Sequence, residues 1–402
     1  MLVTLEARAA EAIRTLCPEG AVAVACSGGG DSIATLHLAV RALGPARVTG
    51  LSVNHNLRPE AADEIMLVAR HCAALGVEHQ VLDWHWSGVG NVQAAAREGR
   101  HSVLLAATSG TILMGHTADD QAETVLLRLA RGSGVDGLAG IRPVSGRVIR
   151  PLLGETRADL RDWLRAEGLD WVDDPSNEDP RFDRIRARKM ADALADLGLS
   201  RARLLQTAEL MQDEADVLAY ASLNWAKAHV RAEAGDLLID ASAARAAPSA
   251  LVSRILAAAV QWMSASPYKP RRQATQNWLD QATSQGSAPL GGVSMTVQGE
   301  TLRLSRELHA ANRCEKSSLS GLWDHRWQIT GPAKAGALRI VALGDHLRDC
   351  PAWRTTGLPR RSLVSTPAIF VDDALVAAPL AGLTGDWDAF IPISFITFLE
   401  SR

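Results

Sequence analysis

The chain lacks the features that mark several protein classes. Its five cysteines are scattered, odd in number and free of any CxxC pair, which argues against a disulfide framework or a zinc site and favours a reducing compartment. No apolar stretch is long enough to cross a bilayer. The N-terminal segment carries Glu6 and Glu11, which is typical of an amphipathic helix and not of a signal peptide. We therefore expect a cytoplasmic protein with no membrane partner.

A strong charge of one sign is also missing. The formal net charge is −3, so any surface that binds a polyanion must be a local patch. With 402 residues and 47% hydrophobic content, the chain is long enough for two or three domains with buried cores.

The first 180 residues alternate short apolar runs with helical patterns. Strands are predicted at residues 21–26, 47–53, 77–83 and 111–115, and helices at about 32–43, 59–75, 92–107 and 121–131. Strands that are apolar throughout and separated by helices indicate a parallel sheet covered on both faces. We predict a doubly wound α/β domain, which binds ligands at the carboxyl ends of its strands.

The pattern changes after Asp179. Helical patterns without strand signals run from Arg181 to about 234, and further helices extend to about 283. A strand pair is predicted at Val293–Val297 and Thr301–Ser305, followed by short β-like runs broken by proline and glycine. We predict domains at 1–190, 191–312 (mainly helical) and 320–402 (small and α+β).

A glycine-rich loop, Ser27-Gly28-Gly29-Gly30-Asp31-Ser32, directly follows the first predicted strand. Glycines let the main chain approach a ligand closely, and successive N–H groups with a helix N-terminus form an anion site. A Walker loop requires a lysine that is absent here. The alternative is a glycine-rich turn whose Asp and Ser cap the helix.

Four carboxylates lie near the ends of two predicted strands. Asp31 belongs to the glycine loop, while Asp119, Asp120 and Glu123 follow the strand at 111–115 and share one helix face. Mg²⁺ prefers one or two carboxylates together with phosphate oxygens, and an acidic cluster also suits an ammonium group. For Asp119 and Asp120 the alternative is helix capping and compensation of the helix dipole.

Several motifs resemble those of one enzyme family. Ser27–Ser32 matches SGGxDS, the signature of N-type ATP pyrophosphatases (the PP-loop family), which cleave ATP between the α- and β-phosphates. Further motif-like segments in the first 190 residues are Val53–Pro59 (VDHxLRP), Asn91–His101 (NxQxxAR..RY), Gly115–Thr124 (GHxxDDQxET), Arg131–Gly134 (RGSG), Trp171–Asn177 (DPSN) and Arg184–Arg188. In order and spacing, this set resembles the tRNA(Ile)-lysidine synthetases.

This resemblance implies a fold, a reaction and partners. The fold would be of the adenine nucleotide alpha-hydrolase type, and the cosubstrate and cofactor would be ATP and Mg²⁺. The reaction would adenylate the wobble cytidine of a CAU-anticodon tRNA(Ile), after which free L-lysine displaces AMP to form lysidine. The two regions after residue 190 would bind tRNA. A homodimer stays open, because the sequence does not give the oligomeric state.

The resemblance also implies roles for individual residues. Asp31 and Asp120 would serve metal and lysine chemistry, with Glu123 in support, and Arg97 would clamp the departing pyrophosphate, a task suited to a guanidinium. His116 would be an active-site donor, and His55 would contact ATP together with the loop residues Ser27, Gly28, Gly29, Gly30, Asp31 and Ser32. The alternatives are a satisfied strand-end histidine for His116, an exposed arginine for Arg97, and a core or capping role for His55.

Basic clusters supply local positive charge despite the net −3. We predict that these basic clusters contact RNA phosphates; the alternative for each cluster is a solvated surface. The candidate tRNA-binding residues are Arg184, Arg186, Arg188, Lys189, Arg271, Arg272, Arg360 and Arg361, with Arg201 and Arg203 following the first cluster.

The chain departs from the family pattern at two positions. Asn54 stands where the family usually has Asp, and His101 stands where Tyr is usual, which blurs those two contacts. The segment from Gly344 to Ala368 resembles the C-terminal domain of longer members only loosely, and it lacks a clear lysine near Trp353.

Three other functions fit this sequence less well. A tRNA 2-thiolation enzyme would carry paired cysteines, and an amidotransferase of the GMP synthetase type would need a glutaminase region, neither of which is found. A non-catalytic tRNA-binding protein would not need both the ATP loop and the DDQxET element.

Overall fold

The computed structural model describes residues 3–17, 19–55, 61–85, 92–173, 183–332 and 337–401. Residues 92–97, 183–185, 189, 191 and 192 are described by their backbone alone. The chain forms two compact units, Met1–Ala215 and Asp216–Arg402. The division into three domains stays a prediction. In the described ranges, no helix has the length and apolar character that a membrane crossing requires.

The first unit alternates strands and helices. Its elements are α1 (Leu5–Leu16), β1 (Val22–Ala25), α2 (Gly30–Leu43), β2 (Val48–Asn54), α3 (Ala61–Leu75), β3 (Glu78–Asp83), α4 (Val92–Ala107), β4 (Thr111–Leu113), α5 (Ala118–Ala130), α6 (Val135–Leu138), β5 (Val144–Ser145), β6 (Val148–Ile149), α7 (Arg157–Ala166), α8 (Asp183–Asp196) and the start of α9 (Arg201–His229).

One six-stranded sheet has the strand order β3-β2-β1-β4-β6-β5. Every neighbouring pair from β3 to β6 is parallel, and only the edge pair β5–β6 is antiparallel. After β1 the chain moves outward to β2 and β3, then returns to the other side of β1 with β4. This reversal between β1 and β4 is a topological switch point, where open α/β sheets bind ligands.

Both faces of this sheet are covered, as predicted. One core packs α1, α2, α3 and α7 against β1 through residues such as Ile13, Ile33 and Leu160. The opposite core packs Leu104 of α4 against β4 and β6. The doubly wound α/β fold is therefore confirmed.

The predicted boundaries hold within two or three residues for most elements of the first unit, and α4 coincides with its predicted range. The largest difference is α5, which begins at Ala118 and not at Gln121. Thr117 caps this helix with a side-chain oxygen that accepts from the backbone N–H of Asp120. Asp119 and Asp120 therefore lie in the first helical turn and not in a loop before it.

The second unit contains an antiparallel sheet and smaller elements. They are β7 (Val230–Glu233), β8 (Asp236–Asp240), α10 (Ala241–Ala246), α11 (Ser249–Ser264), α12 (Arg272–Gln285), β9 (Ser287–Leu290), β10 (Val293–Gln298), β11 (Thr301–Arg306), α13 (Leu308–Ala311), β12 (Gln328–Thr330), β13 (Leu338–Ala342), α14 (Arg360–Leu363), β14 (Pro367–Val371), β15 (Ala374–Ala377), β16 (Asp388–Phe390) and α15 (Phe395–Glu400).

Five strands form a sheet of order β7-β8-β11-β10-β9, on which α11 and α12 pack. The predicted strand pair is confirmed as β10 and β11. The hairpin β7–β8, by contrast, lies where the pattern indicates helix. Its turn is Ala234-Gly235, with φ of 51° and 86°, and two such residues form the tight turn that a hairpin prefers.

The last part of the chain has the predicted α+β character. Its three-stranded antiparallel sheet has the order β13-β14-β15, and the three β-like runs after residue 337 supply these strands. Two small cores lie there, one around Trp323 and Trp327 and the other around Leu363 and Phe370.

Candidate active site

The glycine loop (Ser27–Ser32) joins β1 to α2 at the switch point. Gly28 has φ of +82°, a conformation that side chains disfavour. The Ser32 hydroxyl donates to the Gly29 carbonyl at 2.8 Å and accepts from the Ser27 N–H at 3.2 Å. These bonds hold the loop in a tight arc at the start of α2, whose first N–H groups have no partner within the helix. The loop thus has the form of an anion site.

The end of β4 lies directly beside this loop. A β-carbon at Gly115 would stand 2.6 Å from the carbonyl oxygen of Asp31 and 2.6 Å from the hydroxyl of Thr35. Only glycine permits this approach, because real side chains do not tolerate such distances. Gly115 therefore brings the start of α5 to the glycine loop.

Asp120 has two structural partners at the start of α5. Its Oδ2 accepts from the Thr117 N–H at 2.9 Å and from the Thr117 hydroxyl at 3.0 Å, completing a capping box. The capping alternative is therefore realised for Asp120. Its other oxygen, Oδ1, faces Arg157 at 3.4 Å, so the same side chain also belongs to the site.

Arg157, the first residue of α7, contacts three carboxylates. Its Nε donates to Asp31 Oδ2 at 3.0 Å, its Nη2 lies 3.4 Å from Asp120 Oδ1, and its Nη1 lies 3.7 Å from Glu123 Oε1. Its backbone N–H donates to Asp119 Oδ2 at 2.8 Å. One residue thus links all four carboxylates that the sequence singled out.

The orientation of α7 explains this reach. Leu160 and Leu164 are fully buried in the core beneath α2. Positions three and seven residues apart share one helix face, so Arg157 points toward the same side as these leucines. Leu164 is among the nearest neighbours of Gly30 in the loop. Core packing therefore aims Arg157 at the glycine loop.

Two more arginines approach the acidic cluster from α8 and α9. Arg188 Nε donates to Glu123 Oε1 at 2.9 Å, and Arg201 Nη2 lies 3.0 Å from Asp119 Oδ1. Both positions belong to the predicted basic cluster for RNA. The structure pairs their guanidinium groups with two carboxylates of α5, Glu123 and the first-turn Asp119.

Burial sets the protonation balance in this cluster. Burial raises the pKa of Asp31 and of Glu123, and Arg157 and Arg188 oppose that rise. For Arg157, burial alone would lower the pKa, but Asp31, Asp120 and Glu123 raise it above its ordinary value. The guanidinium therefore stays charged and offsets part of the desolvation cost of the acids.

A cavity of about 560 Å³ opens over these residues, a size typical of a small-molecule site. Its walls come from the loop, from the ends of β2 and β4, and from α7. The cavity is lined by these predicted site residues: Ser27, Gly29, Gly30, Asp31, Ser32, His55, His116, Asp120 and Arg188. Three further arginines also line it: Arg100, Arg157 and Arg161.

The two predicted histidines lie in the walls of this cavity. His55 follows β2 and packs edge-on against Trp84 at a ring separation of 5.7 Å. His116 follows β4 and donates its backbone N–H to the Met114 carbonyl at 2.9 Å. Both places suit contact with a bound molecule, and their assigned roles stay predictions.

Not every predicted residue joins the site. The structure does not describe the side chains of Arg97, Arg184 and Lys189. The motif segments 56–60, 91 and 174–182 lie wholly outside the described residues. Arg186 is exposed in the first unit. In the second unit Arg271, Arg272, Arg360 and Arg361 are all exposed; Arg272 and Arg361 donate to Ser249 and Ser287.

The two departures from the family pattern have different surroundings. Asn54 donates from Nδ2 to Asp83 Oδ1 at 3.2 Å, which ties the ends of β2 and β3 together. His101 is exposed on α4. Among the described residues, no group of three or more His, Cys, Asp or Glu side chains is arranged to hold a metal.

Arg157 is a site residue that the sequence did not reveal, as is Arg161 in the cavity wall. The segment Gly154-Glu155-Thr156-Arg157 shows a Thr cap before an arginine, and Thr156 does cap α7. That signal marks the start of a helix. It carries no information about carboxylates 34 or more positions away.

Known proteins give independent comparisons. Residues 1–193 match the family model of the PP-loop domain. A tRNA(Ile)-lysidine synthase of Ruegeria pomeroyi is 41% identical over 92% of this chain and 91% of its own length. One of Hyphomonas neptunium is 39% identical over 71% of this chain and 81% of its own.

A solved structure also aligns, the U34-tRNA thiolase NcsA from Methanococcus maripaludis. It covers 51% of this chain and 78% of its own, with 18% identity and a TM-score of 0.41.

Proposed function

The chain belongs to the tRNA(Ile)-lysidine synthase family, and we propose that it ligates lysine to C2 of the wobble cytidine in the CAU anticodon of tRNA(Ile), consuming ATP. The observation that carries this proposal is the meeting of the glycine loop, Asp31 and Asp120 in one cavity, with the buried Glu123 linked to them through Arg157. An anion site for the nucleotide thereby lies next to carboxylates suited to an amine.

The first step of the proposed reaction takes place at the glycine loop. The O2 atom of the cytidine attacks the α-phosphorus of ATP, and the bond to the β-phosphate breaks to release pyrophosphate. Loop N–H groups and the N-terminus of α2 face the phosphates. His55 and His116 are proposed contacts in the cavity wall, and Arg97 is the proposed clamp for pyrophosphate.

The second step needs a nucleophilic amine. The bound lysine ammonium loses a proton to solvent, the resulting amine attacks C2 of the adenylated base, and the C2–O2 bond breaks to release AMP. Asp120 lines the cavity together with the loop, and Glu123 is joined to it through Arg157. Glu123 Oε2 is buried without a hydrogen-bond partner among the described residues. A buried, unpaired carboxylate oxygen favours a cationic ligand, which supports an ammonium site there.

The residues present also fit Mg²⁺. Asp31 Oδ1 is buried and accepts no hydrogen bond from the described residues, and Asp120 lies across Arg157 from it. Mg²⁺ takes one or two carboxylates plus phosphate oxygens, so Asp31 and Asp120 are the proposed ligands. The ion would neutralise charge on the departing pyrophosphate.

The RNA must present an unstacked base to this cavity. Wobble cytidines lie in single-stranded anticodon loops, where bases can be splayed out. We assign phosphate contacts to the exposed basic residues of both units, with residues 191–312 and 320–402 as proposed tRNA-binding domains. A cytoplasmic location completes the proposal.

One experiment tests this function. Purified protein is incubated with ATP, Mg²⁺, radiolabelled lysine and the CAU-anticodon transcript. We expect label in the tRNA and release of AMP and pyrophosphate in equal amounts. A transcript in which uridine replaces the wobble cytidine is the matched control and should stay unlabelled.

Two outcomes would contradict the proposal. If ATP is consumed with another substrate while no lysine enters the transcript, the enzyme acts on something else, such as a base that is thiolated. If the protein binds the tRNA and cleaves no ATP, it is a binding protein and not a ligase.

A further inference from the structure

Arg157 occupies the space between the two carboxylates proposed to bind a divalent cation. Its Nε contacts Asp31 at 3.0 Å, and its Nη2 contacts Asp120 at 3.4 Å. The side chain is only 20% exposed, and both acids are largely buried. A guanidinium thus lies where a cation shared by Asp31 and Asp120 would be attracted.

The oxygens of these two acids are nearly all engaged. Both oxygens of Asp120 are in use, Oδ2 by Thr117 and Oδ1 by Arg157. Oδ2 of Asp31 accepts from Arg157 Nε. Within the described residues, Asp31 Oδ1 alone is left without a partner. One carboxylate oxygen is a poor ligand set for a divalent ion unless phosphate oxygens complete it.

Charge counting leads to the same conclusion. Arg188 pairs with Glu123, Arg201 pairs with Asp119, and Arg161 pairs with Asp173. Arg157 also lies 3.7 Å from Glu123, but Arg188 already compensates that acid, so Arg157 is the cation that Asp31 and Asp120 share. The pair therefore carries one uncompensated negative charge with Arg157 present, and would carry two without it.

We infer that Arg157 is a built-in counter-cation that keeps the Asp31–Asp120 pair from binding free divalent ions, so that the metal enters together with the nucleotide. The inference rests on the proposed function for the assignment of these two acids to the metal. Arg157 acts through the carboxylates and is a positioning residue. Arg157 would thereby disfavour metal binding to the site when ATP is absent.

Binding of Mn²⁺ to the full chain tests the inference and requires no activity measurement. Binding is monitored by the loss of the free-ion signal in electron paramagnetic resonance. In the absence of nucleotide, Arg157→Gln should bind Mn²⁺ at least about tenfold more tightly than the wild type, because a full charge is removed within about 4 Å of both acids. Arg165→Gln, on the same helix but outside the cavity, should bind as the wild type does.

A double variant identifies the site of the gain. Arg157→Gln combined with Asp31→Asn should lose the added Mn²⁺ affinity, because the ion would no longer find two carboxylates. An unchanged affinity in Arg157→Gln alone, or a gain that survives in the double variant, would overturn the inference.

Circular dichroism shows whether Arg157→Gln folds. If it does not fold, Mn²⁺ binding by the wild type alone tests the inference. Without nucleotide, the wild type should bind Mn²⁺ only at millimolar levels, as weak carboxylate sites do. A dissociation constant below about 0.1 mM for the wild type alone would overturn the inference.

The result is separable from that of the lysine assay. Lysine incorporation together with unchanged Mn²⁺ binding in Arg157→Gln would remove this inference and leave the proposed function. Tighter Mn²⁺ binding by Arg157→Gln without any lysine incorporation would support this inference and contradict the proposed function.

Discussion

At the scale of single residues, several side chains proposed to act in this site also hold its structure together. Asp120 closes the capping box of α5 with one oxygen and meets Arg157 with the other. The helix-capping interpretation of Asp120 is therefore compatible with its proposed catalytic role. Arg188 likewise pairs with Glu123 while remaining partly exposed.

Asp31→Ala should reduce AMP formation at least about 100-fold, because a carboxylate placed at a phosphate site contributes on this scale to charge stabilisation. Binding of tRNA should survive, since Asp31 lies within the cavity and not among the exposed arginines. Initial rates of AMP release and tRNA affinity by fluorescence anisotropy are the measurements. Asp162→Ala, exposed on α7, serves as control; loss of tRNA binding in Asp31→Ala would mean that the loop has another role.

At the scale of elements, apolar strands and helix caps could be predicted because they depend on residues close in sequence. β1, β2, β3 and β4 all appear near their predicted places. The hairpin β7–β8 was missed because its helix-forming alanines precede a two-residue turn at Ala234-Gly235. The pairing of β8 with β11, which lies beyond residue 300, overrides that local preference.

Gly115→Ala tests the contact between the end of β4 and the start of α2. The new methyl group would clash with the Asp31 carbonyl at 2.6 Å, and overpacking of this kind costs about 1–3 kcal/mol. We expect a lower free energy of unfolding and a loss of ATP-dependent activity, measured by urea titration and AMP release. Gly154→Ala, which has open space around it, should change neither; equal behaviour of the two variants would refute the contact.

The packing of α2 against α3 predicts a pH dependence. His37 Nε2 lies 3.0 Å from His71 Nδ1, and burial, with His71 and Arg41, lowers the pKa of His37 to about 4. The unfolded chain has the ordinary value near 6.5 and takes up the proton first as pH falls. Stability is therefore full above about pH 6.5 and declines between there and about pH 4.

His37→Gln should flatten this decline, because glutamine keeps a hydrogen-bonding group and does not titrate. The expected difference between the two chains is about 1–2 kcal/mol at pH 4.5 relative to pH 7.5, after allowance for solvent screening. Urea unfolding at both pH values measures it, with His346→Gln as an exposed control. Parallel pH profiles for the wild type and His37→Gln would exclude His37 as the source.

At the scale of the whole molecule, the net charge of −3 leaves RNA binding to local patches. Because each phosphate contact releases counterions, affinity should fall steeply with salt. The double change Arg360→Ala and Arg361→Ala should weaken tRNA binding and reduce the slope of log K against log salt by about 1–2. Anisotropy titrations at several KCl concentrations measure this, with Arg348→Ala as control; an unchanged slope would remove this patch from the interface.

The sequence by itself determined the features that depend on neighbouring residues. They are the parallel α/β sheet, the glycine loop after β1, the acidic first turn of α5 and the family to which these motifs point. Only the tertiary structure decided what joins them. Arg157 reaches Asp31 across 126 positions, and Arg188 reaches Glu123 across 65. The first contact follows from the packing of Leu160 and Leu164 in the core, which sets the direction of α7. The second joins α8 to α5. No local pattern encodes either contact.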